Sequence, residues 1–263
     1  MTDAHTRLHA RPARVRASSG PLGELKRQHI SAPTSHISSD IFDTVILRDS
    51  STETKRLALA ARRAALRLGI DPEALIRMRW VSQQNAYRAV AMERPDGDAR
   101  LLSMCAAAVG AFGLGVSAAL VLRDAELEVD AEHLRPNRPL LDYLGSARAL
   151  GARVIAVSDV YYSADEVVAL LTAVTGRHPF HAVYTSADLQ ATKFGGQIFQ
   201  RVAHAEQVDG SSFLHVGDNY RSDVTNAREA GWRAVHAPRG RVEEWRRVAG
   251  RIASLQLRMR RDQ

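Results

Sequence analysis

The sequence predicts an α/β protein: a parallel sheet flanked by helices, with a helical cap inserted after the first strand. Three observations predict it. Beyond Pro139, short apolar runs alternate with amphipathic helical stretches, and repeated βα units of that length specify parallel strands with helices on both faces. An earlier strand within 34–47 is separated from the next by roughly 100 mainly helical residues, too many for one crossover. The strand ends carry polar groups: Asp40, Ser158-Asp159, Ser186 and Gly217-Asp218. In open parallel sheets the site lies beyond the carboxyl ends of the strands, so the insertion leaving just past Asp40 should sit over it.

Each element follows from local pattern. Residues 1–33 mix Pro, Gly, Ser, His and Arg without period and read as a disordered basic tail lacking the apolar stretch of a secretory signal. Core segments are expected over 34–48 and 137–240, with the cap over 49–136. In the cap, a helix over 54–68 has apolar residues at helical spacing (Leu57, Ala61, Ala64, Ala65, Leu68) and stops at Gly69. Asp71-Pro72-Glu73 opens the next, with Asp as N-cap and Pro at the first helical position, and Pro95-Asp96-Gly97 ends it. The window 101–122 is free of charge and long enough to span a bilayer, but Gly110, Gly113 and Gly115 divide it into two buried helical pieces. Helices are then expected over 140–150, 164–175, 196–205 and 223–230, and strands over 153–157, 182–185, 212–216 and 233–236. Val242, Trp245, Val248 and Ile252 recur at helical spacing, so a basic C-terminal helix over 241–263 should pack by one face.

Composition narrows the function classes. Of 263 residues, 45% are apolar and 25% charged, ordinary for a soluble globular chain. The single cysteine, Cys105, excludes an internal disulfide framework and a cysteine-built zinc site, and fits the reducing cytoplasm. The net charge of +7 is concentrated at the ends: residues 1–33 carry +4 and 239–263 carry +5, leaving −2 between them. The basic balance therefore belongs to the termini, and neither a nucleic-acid nor a membrane partner is expected.

The strand ends together supply chemistry. Asp40 and Asp218 place two carboxylates at one sheet edge, and Asp223 follows at a helix start. Carboxylates gathered in a cleft repel one another unless a divalent cation sits among them, and few protein oxygens with retained water suit Mg²⁺. Ser158 adds a hydroxyl and Lys193, one of three lysines, a compact positive charge. These are the parts needed to bind a phosphoryl group and attack it. His215 reads as a packed strand histidine, Cys105 as a small buried hydrophobe, and Trp80, Gln83, Gln84, Tyr87 and Arg88 as a solvated helix face.

These residues resemble the haloacid dehalogenase (HAD) superfamily, whose four motifs match in order over about 36–238. Asp40-Ile-Phe-Asp-Thr44 resembles the first, Ser158 after its apolar strand the second, Lys193 with Gly196 and Phe199 the third, and Gly217-Asp218-Asn-Tyr-Arg-Ser-Asp223 the fourth. Asp40-x-Phe-Asp-Thr44 with Ser158-Asp159-Val-Tyr161 and Thr185-Ser186 is also similar to a bacterial subgroup of HAD hydrolases found near surface-polysaccharide genes. The resemblance implies a Rossmann-like core with a C1-type helical cap and a Mg²⁺-dependent phosphohydrolase acting on a small phosphorylated metabolite. It makes Asp40 the nucleophile that forms an aspartyl-phosphate. The implied metal ligands are Asp40, the carbonyl of Phe42, Asp218 and Asp223. Thr44, Ser158, Asp159 and Lys193 are the implied substrate-binding residues, with Asp159 also read as organising its loop.

One position departs from the family pattern. The usual phosphatase carries a second Asp two residues after the nucleophile, which protonates the leaving group; here Phe42 stands there and the carboxylate comes one residue later, at Asp43. General acid catalysis typically contributes about 10²–10⁴-fold. Asp43 supplies the proton from a new position, or the cap or substrate supplies it, or turnover is poor. Lys55, the only cap lysine, leaves a Schiff-base route to phosphonate cleavage open. The alternative function is a catalytically weak module that binds a phosphorylated ligand or a protein partner.

Overall fold

The computed structural model describes residues 20–32 and 34–240. The expected helix over 241–263 and most of the basic tail lie outside the described residues. Part of that tail is corrected: Pro21–Ser31 forms helix α1, with Pro at its start and Glu24 in its first turn. Leu25 is fully buried against the core, His29 meets the Tyr143 hydroxyl at 2.8 Å, and Arg233 donates to the Gln28 carbonyl at 3.1 Å. Composition hid this helix because its inward face rests chiefly on Leu22 and Leu25, among charged neighbours.

Strand β1 (His36–Ser39) is buried along its length, and β2 (Ile46–Arg48) pairs antiparallel with β3 (Leu134–Pro136). The sequence did not reveal β3. The β2–β3 ribbon is the stem through which the insertion leaves and returns, and between its strands lie four helices. Helix α2 (Glu53–Leu68) is capped by the Thr52 hydroxyl, which accepts from Lys55 N at 3.2 Å, and ends at left-handed Gly69. Helix α3 (Pro72–Glu93) is capped by Asp71, which accepts from Ala74 N at 2.9 Å. Helices α4 (Leu101–Gly110) and α5 (Val116–Glu132) share the uncharged window, and a turn with Gly113 at φ 71° separates them. No described helix is long and apolar enough to cross a membrane. Alanine-rich faces of α2 (Ala60, Ala61, Ala64, Ala65) and α5 (Ala118, Ala119, Ala125) are buried together and let the backbones approach closely.

The return path builds the rest of the core. Helix α6 (Arg138–Ala149), β4 (Arg153–Ser158), α7 (Ala164–Thr175), β5 (Ala182–Thr185), α8 (Ser186–Leu189), α9 (Gln197–Glu206), β6 (Phe213–Gly217), α10 (Asn226–Glu229) and β7 (Arg233–His236) follow in turn. The five-stranded sheet has the order β5-β4-β1-β6-β7, all parallel, as its Rossmann-like class requires. Alternate residues of β4 serve opposite faces: Val154 and Ala156 join the layer holding Leu25, Leu144 and Leu171, whereas Ile155 and Val157 join Ile198, Phe199 and Trp232. The helix expected over 223–230 is shorter and is preceded by a π-helical turn, Tyr220–Thr225.

The insertion is fastened to the carboxyl edge of the sheet. The segment after α3 reaches the loops beyond β4 and β5: Ser186 Oγ donates to Asp98 at 2.6 Å, Leu101 N to the Tyr161 carbonyl at 2.8 Å, and Arg100 Nε to the Ala187 carbonyl at 3.2 Å. Inside, Arg79 pairs with Glu126 at 2.5 Å and Arg56 with Asp130 at 2.8 Å, while Tyr162 donates to Asp130 at 2.8 Å. Gln83 accepts from Arg79 and is buried, so this member of the expected solvated face turns inward.

Candidate active site

Sheet order assembles the site. Because β1 lies between β4 and β6, Asp40 at its end stands between Ser158 at the end of β4 and Asp218 just past β6. Asp40 extends the ladder by one residue, donating its N–H to the Val216 carbonyl at 2.8 Å. Its carboxylate is 8% exposed. Oδ2 accepts from Thr44 Oγ1 at 3.0 Å; Oδ1 accepts from Lys193 Nζ at 2.6 Å and from Ser158 Oγ at 3.3 Å.

Lys193 also donates to Asp223 Oδ1 at 2.6 Å. Burial works against its charge, but Asp223, Asp40 and Asp159 outweigh that and hold the ammonium protonated. Burial likewise opposes ionised Asp223, yet Lys193 and His215 hold its pKa below the ordinary carboxylate range. His215 is fully buried, meeting Asp223 Oδ1 at 3.3 Å with one ring nitrogen and Ser38 Oγ at 2.9 Å with the other. The packed strand histidine thus helps fix Asp223. The other Asp223 oxygen accepts from Asn219 N at 2.9 Å, and a Cβ at Gly217 would overlap this carboxyl, so only glycine fits there.

Asp218 differs. Burial and the neighbouring Asp40 push its carboxyl up to about 7, with Arg239 opposing them. One oxygen each of Asp40, Asp218 and Asp223 lie within 4.8 Å of one another. An all-oxygen donor set with one carboxyl held high by its neighbours suits a hard divalent cation, so these residues fit the metal implied by the sequence.

The remaining expected residues divide. Both oxygens of Asp159 accept backbone N–H groups, from Lys193 at 2.6 Å and Phe194 at 3.0 Å. Its carboxylate therefore shapes the lysine loop, the organising role also expected of it. Asp43 adopts φ 64°, in the left-handed region. Its carboxylate accepts from Arg48 Nη1 at 3.0 Å and pairs with Arg239 Nη2 at 2.8 Å. Two guanidinium groups thus hold this carboxylate in place. The Phe42 ring lies 4.4 Å beneath the Arg48 guanidinium and 6.0 Å from the Tyr162 ring. Ser186, the first residue of α8, is buried and accepts from Val160 N at 2.8 Å.

Arg239 and Arg48 were not recognised from the sequence. Arg239 falls among the basic charges of 239–263; the only signal to its role is its place three residues beyond the last strand, on the carboxyl edge where sites form.

A central strand ending in a lysine-held carboxylate, with two more carboxylates beside it and helices inserted behind it, defines a class of hydrolase. The chain belongs to the haloacid dehalogenase-like hydrolase family, whose family model matches residues 34–231. No curated protein matches it. Among solved structures, a 2-haloacid dehalogenase from Pseudomonas syringae pv. Tomato DC3000 is 17% identical, with 76% of this chain and 85% of that one covered and a TM-score of 0.52. A defluorinating L-2-haloacid dehalogenase is 13% identical over 76% of this chain and 80% of its own, with a TM-score of 0.50. A predicted phosphoglycolate phosphatase from Haemophilus somnus 129PT is 17% identical over 77% and 84%, with a TM-score of 0.43. The first two likenesses are likenesses of fold.

Proposed function

We propose that the protein is a Mg²⁺-dependent phosphohydrolase acting on a small phosphorylated metabolite, with a sugar phosphate as the favoured class on the subgroup resemblance. The observation that carries the reading is the pairing of buried Lys193 with both Asp40 and Asp223, beside Asp218. A lysine that neutralises Asp40 lets this carboxylate approach an anionic phosphate. An Asp40 oxygen attacks phosphorus, the ester oxygen departs with its electron pair and takes up a proton, and water then hydrolyses the aspartyl-phosphate to free Asp40 and phosphate. Ser158 Oγ, within reach of Asp40, donates to a phosphoryl oxygen, and Thr44 keeps the nucleophile oriented. Asp40, Asp218, Asp223 and the Phe42 carbonyl would hold the cation, which supplies neutralising charge for phosphoryl oxygens. The carboxylate cluster, which suits a divalent cation, favours this reading over a dehalogenase, whose chemistry needs no metal. The cytoplasm is the proposed location.

A second reading, the weak binding module, draws on Phe42 in the acid position and on Asp43 being held by Arg48 and Arg239. Turnover of an aryl phosphate with Mg²⁺, beside Asp40→Asn and beside halide release from a 2-haloacid, separates these readings. Phosphate release that requires both Mg²⁺ and Asp40 supports the phosphohydrolase. Halide release alone overturns it, and inactivity over a broad phosphate panel favours the module.

A further inference from the structure

Resting on the metal reading above, the geometry points to Arg239 as a positioning residue whose guanidinium stands in for the divalent cation, spanning Asp43 and Asp218, so that cation binding and the Arg239 contact oppose each other. The segment carrying it is fixed in place. Ala237 N continues the ladder past β7 to the Gly217 carbonyl at 2.8 Å, and His236 Nε2 meets the Asp218 carbonyl at 2.9 Å. This delivers Arg239 over the fourth motif, where Nε lies 2.8 Å from Asp218 Oδ2 and Nη2 lies 2.8 Å from Asp43 Oδ2.

The charges around the site show what the contact does. Four carboxylates gather here, and Lys193 serves Asp40 and Asp223 while Arg48 serves Asp43. Among the described residues, the cation within ion-pair distance of Asp218 is Arg239. The pair is partly shielded, with side-chain exposures of 12% for Asp218 and 26% for Arg239, so its charge is felt more strongly than on an open surface. The same carboxylate is needed by a divalent cation. A fixed guanidinium on it both draws on the ligand and repels the incoming ion.

Calorimetric titration of the full-length protein with MgCl₂ in alkaline buffer, with Mn²⁺ binding followed by electron paramagnetic resonance, tests this directly. Arg239→Gln is expected to bind Mg²⁺ at least about fivefold more tightly than the unmutated protein. Arg239→Lys, which keeps a charge but cannot fork between two carboxylates, is expected to shift the Kd in the same direction by less. Arg62→Gln, a remote exposed arginine paired with Glu73, makes the same change in net charge and is expected to leave the Kd unchanged. In EDTA the Arg239→Gln protein should melt below the unmutated one, and saturating Mg²⁺ should close the gap, because the ion then supplies the missing charge. An Arg239→Gln Kd that is unchanged, weaker or matched by Arg62→Gln overturns the proposal and leaves the metal reading standing. Absence of Mg²⁺ and Mn²⁺ binding in every variant overturns both.

Discussion

Lys193 Nζ lies 2.6 Å from Asp40 Oδ1 and shares its remaining reach with Asp223, so one buried ammonium ties the end of β1 to the turn after β6. The contact is both structural and chemical. Removing one partner of a buried ion pair leaves the other charge uncompensated, which is far more damaging than the net worth of the pair.

Lys193→Met keeps the length of the side chain and removes its charge. It is expected to lower stability by about 3–5 kcal/mol in the absence of divalent cation, read by chemical denaturation. Aryl phosphate turnover is expected to fall by at least about 10²-fold, since the charge that lets Asp40 meet an anion is gone. Stability within 1 kcal/mol of the unmutated protein, roughly the size of an exposed pair, would contradict the burial of this contact.

Asp43→Asn tests the acid role directly. Its carboxylate is engaged by Arg48 and Arg239, so turnover is expected to change by less than about tenfold, short of the 10²–10⁴ carried by a general acid. The alkaline limb of the pH–rate profile should stay in place. A large loss together with disappearance of that limb would restore Asp43 as the proton donor.

Glu206 links acid stability to a particular contact. Burial raises its pKa, but Arg153 and Tyr184 more than offset this, so the folded carboxyl ionises more readily than its ordinary 4.5 would allow. Its contribution is therefore fully present above about 4.5 and is lost as the pH falls through the lower folded value. Melting curves taken from about pH 5 down to pH 3 should show a steeper decline for the unmutated protein than for Glu206→Gln. Equal slopes would remove Glu206 from the acid response.

Leu25→Ala examines α1. The side chain is fully buried in the layer with Ile37 and Leu144, so truncation is expected to destabilise the whole domain by about 2–5 kcal/mol. Ile30→Ala on the same helix, 80% exposed, is expected to change stability by less than about 0.5 kcal/mol. Equal, small effects would mean that α1 does not dock.

What the sequence by itself determined is whatever short-range pattern controls. The α7, β5 and β7 ranges, the Asp71 cap, the Gly69 stop and the break inside the uncharged window all depend on residues within a few positions of one another. Asp40, Ser158 and Asp218 were recognisable because parallel strands all present their ends at one edge, and Lys193 and Asp223 through the motifs they resemble. Tertiary structure alone decided the rest. β3 exists because Leu134–Pro136 finds β2 across the whole insertion, and α1 is ordered because Leu25 finds the sheet. The ion pair of Asp43 with Arg239 formed only when the chain after β7 brought Arg239 to it. Propensities and caps act within a turn or two of chain, whereas an ion pair between distant residues forms only once the packed sheet has set their separation, and no local pattern records that distance.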